Sequence, residues 1–358
     1  MDLLETIYNQ KLKNTTFYDR KIRIMNKKTL LLGPRKSGKT HLIIDYLQNF
    51  NPDEFLYIDF KDERITDEDI NFSKLENFII QNHVKLLVLE NFNFSFKIPK
   101  IENIIITSDD SSKTLENFHR IFLYPLDFEE FIAFDKRHFN IEQLFSIYSN
   151  KGTLIPIVLY NEDNYLLEFQ RISKDLFDSK NEFLIFKKLS ELQGNKASLF
   201  QIYNQLKMKM KISKDLLYNV SQKLNNRELV LFLEKYEQKK ASKKIYIFDF
   251  AIKNGLTYKK DFLKRFENMV FLELYKRQKD IFYTEHINFF IPKKNEGIIC
   301  LPFTPTDSLK EKMIKTVSHF KSIHVKKIWI ITIGNIGEFE LGNIKFEQIP
   351  FWNWALGI

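Results

Sequence analysis

The sequence predicts an α/β protein that begins with a parallel β-sheet covered by helices on both faces. Five short apolar runs alternate with helical or polar stretches in the first third of the chain, at residues 28–32, 55–60, 85–92, 103–108 and 119–123. Continuous apolar strands in such an alternation are typical of a parallel sheet whose two faces are buried. The length of 358 residues exceeds the usual size of one compact core, so two or three domains are expected.

A glycine-rich loop joins the first apolar run to a helical stretch. It matches the pattern G-x-x-x-x-G-K-[ST], and the candidate ligand-binding residues are Gly33, Pro34, Arg35, Lys36, Ser37, Gly38, Lys39, Thr40 and His41. The glycines let the backbone curl so that its N–H groups face phosphate oxygens, and the helix directs its positive end to the same place. Lys39 would meet the β- and γ-phosphates, and the Thr40 hydroxyl would ligate Mg²⁺. The alternative is an ordinary turn between a strand and a helix.

The third and fourth apolar runs end in polar residues that suit the same site. Glu90 ends the third run, where a carboxylate holds the water shell of Mg²⁺ in P-loop proteins. Thr107 and Ser108 end the fourth run, where a hydroxyl could sense the γ-phosphate. The carboxyl ends of parallel strands are also where ligands bind. The sequence therefore predicts ATP and Mg²⁺ as cofactors, and it does not distinguish ATP from GTP.

Composition and cysteine content limit the class of protein. An apolar content of 44% and a charged content of 28% describe a soluble globular protein. The single cysteine, Cys300, cannot form an internal disulfide, which suggests a reducing compartment. No apolar run approaches about 18 residues, and the N-terminus lacks a signal core. We therefore expect a cytoplasmic protein without a membrane span.

Positive charge is concentrated in one segment. Residues 181–248 hold 14 basic and 6 acidic residues, a net charge of +8, whereas the whole chain carries +9. Apolar spacing predicts helices at 182–192 and 197–206 and a third helix capped by Ser213, followed by strands at 229–236 and 243–250. These elements indicate a winged helix-turn-helix that would place its third helix in the major groove of duplex DNA. The alternative is a protein-docking module or a rigid spacer.

The order of motifs resembles the bacterial and archaeal AAA-type ATP-binding proteins that carry a C-terminal restriction-endonuclease-like domain. Besides the phosphate loop, the resemblance rests on residues 58–64, on Thr107 and Ser108, and on Pro125-Leu126-Asp127-Phe128-Glu129-Glu130-Phe131, where Asp127 replaces the family's serine. It implies a sheet in the order 5-1-4-3-2, a sensor at Thr107 or Ser108, and a helical lid at residues 134–178. It also implies that Arg120 reaches phosphate; the alternative is a surface arginine at a strand edge.

The sequence departs from this family at the catalytic position. The family's third strand ordinarily ends in Asp-Glu, and here Glu90 occupies the metal position and Asn91 the position of the catalytic glutamate. Asparagine cannot take a proton, and loss of a positioned general base typically costs about 10²- to 10⁴-fold in rate. We therefore expect ATP binding with slow hydrolysis, and the sequence leaves open whether the protein is a useful ATPase.

The C-terminal segment resembles the restriction-endonuclease-like core without its catalytic residues. Its predicted order is helix, three strands, helix and strand, and Glu267 occupies the position of the first metal-binding acid. Asn288 stands at the position of the second acid, and Cys300-Leu301-Pro302 replaces the Glu-x-Lys motif. One ligand of three should not hold a catalytic metal. We expect no nuclease activity and predict a helix-end hydrogen bond for Glu267.

Two hypotheses follow for a chain divided into domains at 1–178, 179–248 and 249–358. In the first, an AAA-type ATPase acts as a nucleotide-dependent switch and contacts double-stranded DNA through residues 181–248. In the second, a non-hydrolysing scaffold is stabilised by nucleotide and binds another protein or a second copy of itself. The pathway and the oligomeric state are open.

Overall fold

The computed structural model describes residues 3–10, 18–66, 70–160 and 164–358. The chain forms two compact units, of which the first contains residues 1–125 and 226–228 and the second contains residues 126–225 and 229–358. The helical segment 134–178, which we predicted as a lid of the nucleotide domain, lies in the second unit. The first helix, α1, covers Leu3–Tyr8.

The first unit is built on a five-stranded parallel sheet. Its strands are β1 (Lys28–Leu32), β2 (Phe55–Asp59), β3 (Leu86–Glu90), β4 (Asn103–Ser108) and β5 (His119–Phe122). They lie in the order β2-β3-β4-β1-β5, which confirms the predicted order 5-1-4-3-2. Asp59 pairs with Glu90 across β2 and β3, and Leu31 pairs with Thr107 across β1 and β4. The polar strand ends therefore meet at one edge of the sheet.

Both faces of this sheet are buried. Helices α1, α2 (Lys39–Leu47) and α3 (Phe72–Gln81) belong to this unit. Leu30 and Leu32 pack into one apolar cluster, whereas Leu31 packs into the other with Leu42 and residues of β3 and β4. Successive side chains of a strand point to opposite faces, so a strand covered on both faces must be apolar throughout. This explains the continuous apolar runs of the sequence.

The second unit begins with four helices. They are α4 (Phe128–Phe134), α5 (Ile141–Lys151), α6 (Ile155–Val158) and α7 (Tyr165–Asp175). Asp127 starts α4 with a capping box, because its side chain accepts from the Glu130 backbone N–H at 2.8 Å while the Glu130 side chain accepts from the Asp127 N–H. Aspartate thus performs the capping that serine can also perform.

The basic segment contains three helices and a small antiparallel sheet. Its elements are α8 (Lys180–Glu191), β6 (Lys196–Ala197), α9 (Leu199–Lys207), α10 (Lys214–Asn226), β7 (Val230–Leu233) and β8 (Lys243–Ile247), and the strands lie in the order β6-β8-β7. Ser213 accepts from the Leu216 N–H at 3.1 Å and so caps α10 as expected. Strand β6 was not predicted, because two residues show no periodicity.

A mixed sheet dominates the C-terminal segment. Its helices are α11 (Lys253–Leu256), α12 (Phe262–Arg277), α13 (Thr306–Ile314), α14 (Val317–Ser322) and α15 (Phe351–Leu356). Its strands are β9 (Phe289–Ile291), β10 (Glu296–Cys300), β11 (Lys327–Thr332), β12 (Gly337–Leu341) and β13 (Ile344–Pro350), in the order β12-β13-β11-β10-β9. The first of the three strands predicted after the helix of this segment was expected at residues 281–284, and these residues form only isolated bridges. Across the described residues, no helix is long and apolar enough to cross a membrane.

Candidate functional site

The loop between β1 and α2 depends on two glycines. Gly33 has φ 145° and Gly38 has φ 98°, a backbone region that favours glycine. A Cβ on Gly33 would lie 2.3 Å from the carbonyl oxygen of Leu123, so a larger residue would collide with backbone. The guanidinium of Arg20 donates to the carbonyls of Ser37 and Tyr124, both at 2.8 Å. These bonds tie the loop to the segment that follows β5.

Lys39 is buried inside this loop. Its Nζ donates to the carbonyl oxygens of Gly33 at 2.7 Å and Pro34 at 3.0 Å. Burial lowers the pKa of Lys39 to about 8, although Asp109 and Glu90 oppose the shift. The ammonium group is therefore held by dipoles and has no carboxylate in direct contact among the described residues. Such a cation is suited to take oxygens of an incoming anion.

Thr40 and Glu90 lie in contact at the carboxyl edge of the sheet. The Thr40 hydroxyl donates to Glu90 Oε1 at 2.5 Å, and the Tyr57 hydroxyl donates to the other carboxylate oxygen. Burial raises the pKa of Glu90, while the bonds from Thr40 and Tyr57 lower it in part. Hydroxyl and carboxylate oxygens are ligands that Mg²⁺ accepts. No sequence pattern pointed to Tyr57, which reaches this site from the middle of β2.

Asn91 follows Glu90 in a left-handed conformation with φ 54°. Its backbone N–H donates to the Thr107 hydroxyl at 2.8 Å, and its side-chain Nδ2 donates to Asp59 Oδ1 at 2.7 Å. Thr107 is fully buried, so its hydroxyl supports the strand end that carries Asn91. Sequence analysis missed Asp59, although the predicted neighbours β2 and β3 both end in acids and could have revealed this contact.

A cluster of cations surrounds one carboxylate beside the loop. Asp109 Oδ2 accepts from Arg35 Nε at 3.2 Å and from Arg227 Nη2 at 2.8 Å. Burial raises the pKa of Asp109, but Arg227, Arg35, Lys39 and Lys61 lower it, and the net shift is downward. Four positive groups thus act on Asp109, while Glu90 also acts on Lys39 and Asp59 also acts on Lys61. A concentration of cations like this one suits a polyanionic ligand.

Three predicted residues lie outside these contacts. Lys36 is exposed at φ 68°, and His41 is exposed on α2. Arg120 is exposed on β5, at the edge of the sheet, and its guanidinium donates to the carbonyl of Ser111 at 2.8 Å. The structure therefore brings Lys39, Thr40 and Glu90 together, and it gives Arg120 a different partner.

The nuclease-like position contains an ion pair. Glu267 lies within α12, and its Oε1 accepts from Lys244 Nζ at 2.6 Å and from the Tyr246 hydroxyl at 2.7 Å. The predicted helix-end hydrogen bond for Glu267 was therefore wrong, because the residue lies in the interior of the helix. Burial raises the pKa of Glu267, but Lys244 and Lys264 lower it below its usual value. Asn288 Oδ1 accepts from the Cys300 N–H at 3.1 Å.

Four exposed lysines lie where the second helix of the basic segment leads into the third. Lys207 ends α9, Lys209 and Lys211 lie in the turn that follows, and Lys214 begins α10. The Lys214 ammonium lies 5.1 Å from the ring centre of Phe200, which is 51% exposed. In the β7–β8 hairpin, Lys239 and Lys240 are exposed, whereas Lys243 pairs with Glu234 and Lys244 is buried against Glu267. The exposed positive charge named here thus lies around the turn between α9 and α10 and at the hairpin tip.

Comparisons with known proteins bear on both units. Residues 25–94 match the family described as an AAA domain. The uncharacterized protein MJ1544 of Methanocaldococcus jannaschii is 25% identical to this chain in an alignment 395 residues long. The alignment covers 93% of this chain and 89% of that protein. The Walker-type ATPase PABY2304 of Pyrococcus abyssi is similar in structure, with a TM-score of 0.44 and 16% identity over 64% of this chain and 91% of that one. The Aeropyrum pernix ORC1 protein in complex with DNA has a TM-score of 0.33 and 11% identity, over 65% of this chain and 87% of that one.

The matched residues include the phosphate loop and the first three strands of the sheet. The sheet order is the one expected for this family. Residues 25–94 of the first unit are therefore similar to the AAA domain family.

Proposed function

We propose that the protein binds ATP with Mg²⁺ at residues 33–41 and hydrolyses it slowly, as a nucleotide-dependent switch. The observation that carries this proposal is the buried Lys39 ammonium in a loop that opens onto the contact between Thr40 and Glu90. The surrounding cations, with Asp109 as their shared counterion, add the positive charge that a triphosphate needs.

The residues of the loop have separate roles in this proposal. Lys39 exchanges the carbonyls of Gly33 and Pro34 for phosphate oxygens, and the backbone N–H groups of the loop bind the same phosphates. Thr40 and Glu90 would hold the metal ion, which would neutralise charge on the phosphoryl oxygens. Burial of Glu90 keeps water from competing for its carboxylate.

Slow turnover follows from the chemistry of Asn91. Its amide nitrogen already donates to Asp59, and an amide cannot accept the proton of an attacking water. A slow ATPase keeps its triphosphate state for a long time, which suits a switch. The contact between Asn91 and Asp59 also supports the second candidate function, a scaffold that binds ATP without hydrolysing it. A measured turnover number for ATP distinguishes the slow ATPase from the scaffold.

Calorimetric titration with MgATP tests the binding site. Lys39→Ala should abolish binding, because it removes the buried ammonium that α2 directs into the loop. Lys28→Ala is the matched control, since Lys28 is an exposed lysine at the start of β1, and it should bind as the wild type does. Unchanged affinity in Lys39→Ala would refute the site.

Contact with duplex DNA through residues 181–248 is the second part of the proposal. It is supported by the exposed lysines at the end of α9 and in the turn that leads to α10, by Lys214 beside Phe200, and by the exposed hairpin lysines. Contacts of this kind would be weak, dependent on salt and largely independent of sequence. A helix-turn-helix would add base contacts through α10.

The salt dependence of DNA binding tests this part. Replacing Lys207, Lys209 and Lys211 by alanine should reduce the slope of log K against log salt by about 0.9 for each phosphate that is no longer neutralised. Replacing Lys310, Lys312 and Lys315, which are exposed on and just after α13, should leave the slope unchanged. Absence of wild-type binding at about 50 mM salt would favour the scaffold.

A further inference from the structure

Arg227 is connected to the phosphate loop through one carboxylate, that of Asp109. It follows α10 directly and is buried, with 3% of its surface exposed. Its Nη2 and the Nε of Arg35 donate to the same oxygen of Asp109, at 2.8 and 3.2 Å. Since Arg35 belongs to the loop between β1 and α2, a change in its charge environment acts on Asp109 and hence on Arg227.

The backbone around Arg227 is held by the loop that follows β4. The N–H and the hydroxyl of Ser111 both donate to the carbonyl of Asn226, at 2.7 and 2.5 Å. Residues 226–228 belong to the first unit, whereas the chain before and after them, 126–225 and 229–358, forms the second. The segment is thus part of the nucleotide-binding unit and is covalently continuous with the rest of α10.

The carboxylate of Asp109 is shared among several cations. Arg227, Arg35, Lys39 and Lys61 all act on its carboxylate. A bound triphosphate would bring further negative charge to the same cations and would compete with Asp109 for them. Removal of the terminal phosphate would return the cations to Asp109. The pair between Asp109 and Arg227 is therefore placed to respond to the number of phosphates.

We propose that Arg227 senses the terminal phosphate, leaving Asp109 when a triphosphate is bound and returning to Asp109 when a diphosphate remains. The inference rests on the proposed binding of ATP. The sequence indicates α10 as a helix that would read DNA. The proposal gives Arg227, the residue that follows α10, the further role of responding to the bound nucleotide.

Affinities for MgATP and MgADP, measured by calorimetry, test the proposal. Arg227→Gln should weaken ATP binding about tenfold or more, the value of one charged hydrogen bond, and should change ADP binding less than about threefold. Asp109→Asn should tighten ATP binding, because it removes the competing carboxylate. Arg137→Gln, which breaks the Arg137–Asp135 pair in the second unit, is the control and should change neither affinity.

Equal weakening of both nucleotides by Arg227→Gln would overturn the proposal, since it would show that Arg227 only supports the loop. If Arg227→Gln does not fold, Asp109→Asn decides, and ATP affinity that is unchanged or weaker in that variant overturns the proposal. Wild-type protein that binds neither nucleotide would instead refute the proposed function, and the inference with it.

Discussion

At the scale of single residues, the pair between Asn91 and Asp59 is where the proposed function separates ATP binding from ATP turnover. Asn91 donates to a carboxylate that belongs to the neighbouring strand, so a carboxylate lies next to the position where the resembled family has its catalytic glutamate. The Asn91 amide donates to Oδ1 of that carboxylate, which also accepts from the Lys61 N–H. The sequence could predict that Asn91 lacks basicity, but it could not predict the partner, because only the pairing of β2 with β3 brings Asp59 to this place.

Moving the carboxylate from position 59 to position 91 should therefore raise ATP turnover. Asn91→Glu alone would place two carboxylates together and raise the pKa of at least one, which limits the gain. Asn91→Glu combined with Asp59→Asn restores the hydrogen bond with reversed polarity, and it should raise ATP turnover about tenfold or more at unchanged ATP affinity. Steady-state phosphate release measures the effect. A double variant that is no faster than the wild type would mean that Asn91 does not occupy the catalytic position.

The ion pair of Glu267 predicts a pH dependence of stability. Lys244 and Lys264 hold the pKa of Glu267 below its unfolded value, so its contribution is fully present above the unfolded pKa and is lost as pH falls through the lower, folded pKa. Glu267→Gln should lower the free energy of unfolding at neutral pH by about 3 to 5 kcal/mol. The deficit relative to the wild type should shrink toward acid pH, as urea titrations at several pH values can show.

A double variant is the control for this pair. Lys244→Met with Glu267→Gln should be less destabilised than Glu267→Gln alone, because no uncompensated ammonium remains buried. A deficit that is constant from neutral to acid pH would contradict the assigned ionisation of Glu267.

At the scale of elements, the strands with a strong apolar pattern could be predicted from the sequence, and those with a weak pattern could not. Strand β4 was predicted with its observed bounds because it is apolar on both faces. Strands β12 and β13 were not predicted, since half-exposed residues such as those of β12 give a weak pattern. The phosphate loop could be predicted because its glycines are required by geometry that is local in sequence.

Gly33→Ala tests that local geometry. Its Cβ would lie 2.3 Å from a backbone oxygen, so the loop must shift, and we expect a loss of about 1 to 3 kcal/mol in the free energy of unfolding together with weaker ATP binding. Gly334→Ala is the matched control, because a Cβ there has no atom within 4 Å. Thermal and urea unfolding measure both variants, and similar stability in the two would show that Gly33 is not constrained.

At the scale of the whole molecule, sequence reasoning was weakest where partners are distant in the chain. An amphipathic helix shows which face is buried but not against which element, so the helices at 134–178 could not be assigned to the second unit by pattern alone. In the same way Asp109 and Arg227 belong to different predicted domains, and their contact has no local signal. The fold class was predictable from the sequence, whereas the contact of residues 226–228 with the segment that follows β4 was not.

The central claim is that Lys39, Thr40 and Glu90 together bind ATP with Mg²⁺. Its most direct test is the ATP affinity of the wild-type protein and of Thr40→Val, each measured by calorimetry with Mg²⁺ and with a chelator. We expect Mg²⁺ to tighten ATP binding to the wild type about tenfold or more, and we expect Thr40→Val to lose most of that gain. Equal affinities with and without Mg²⁺ in the wild type would contradict the account.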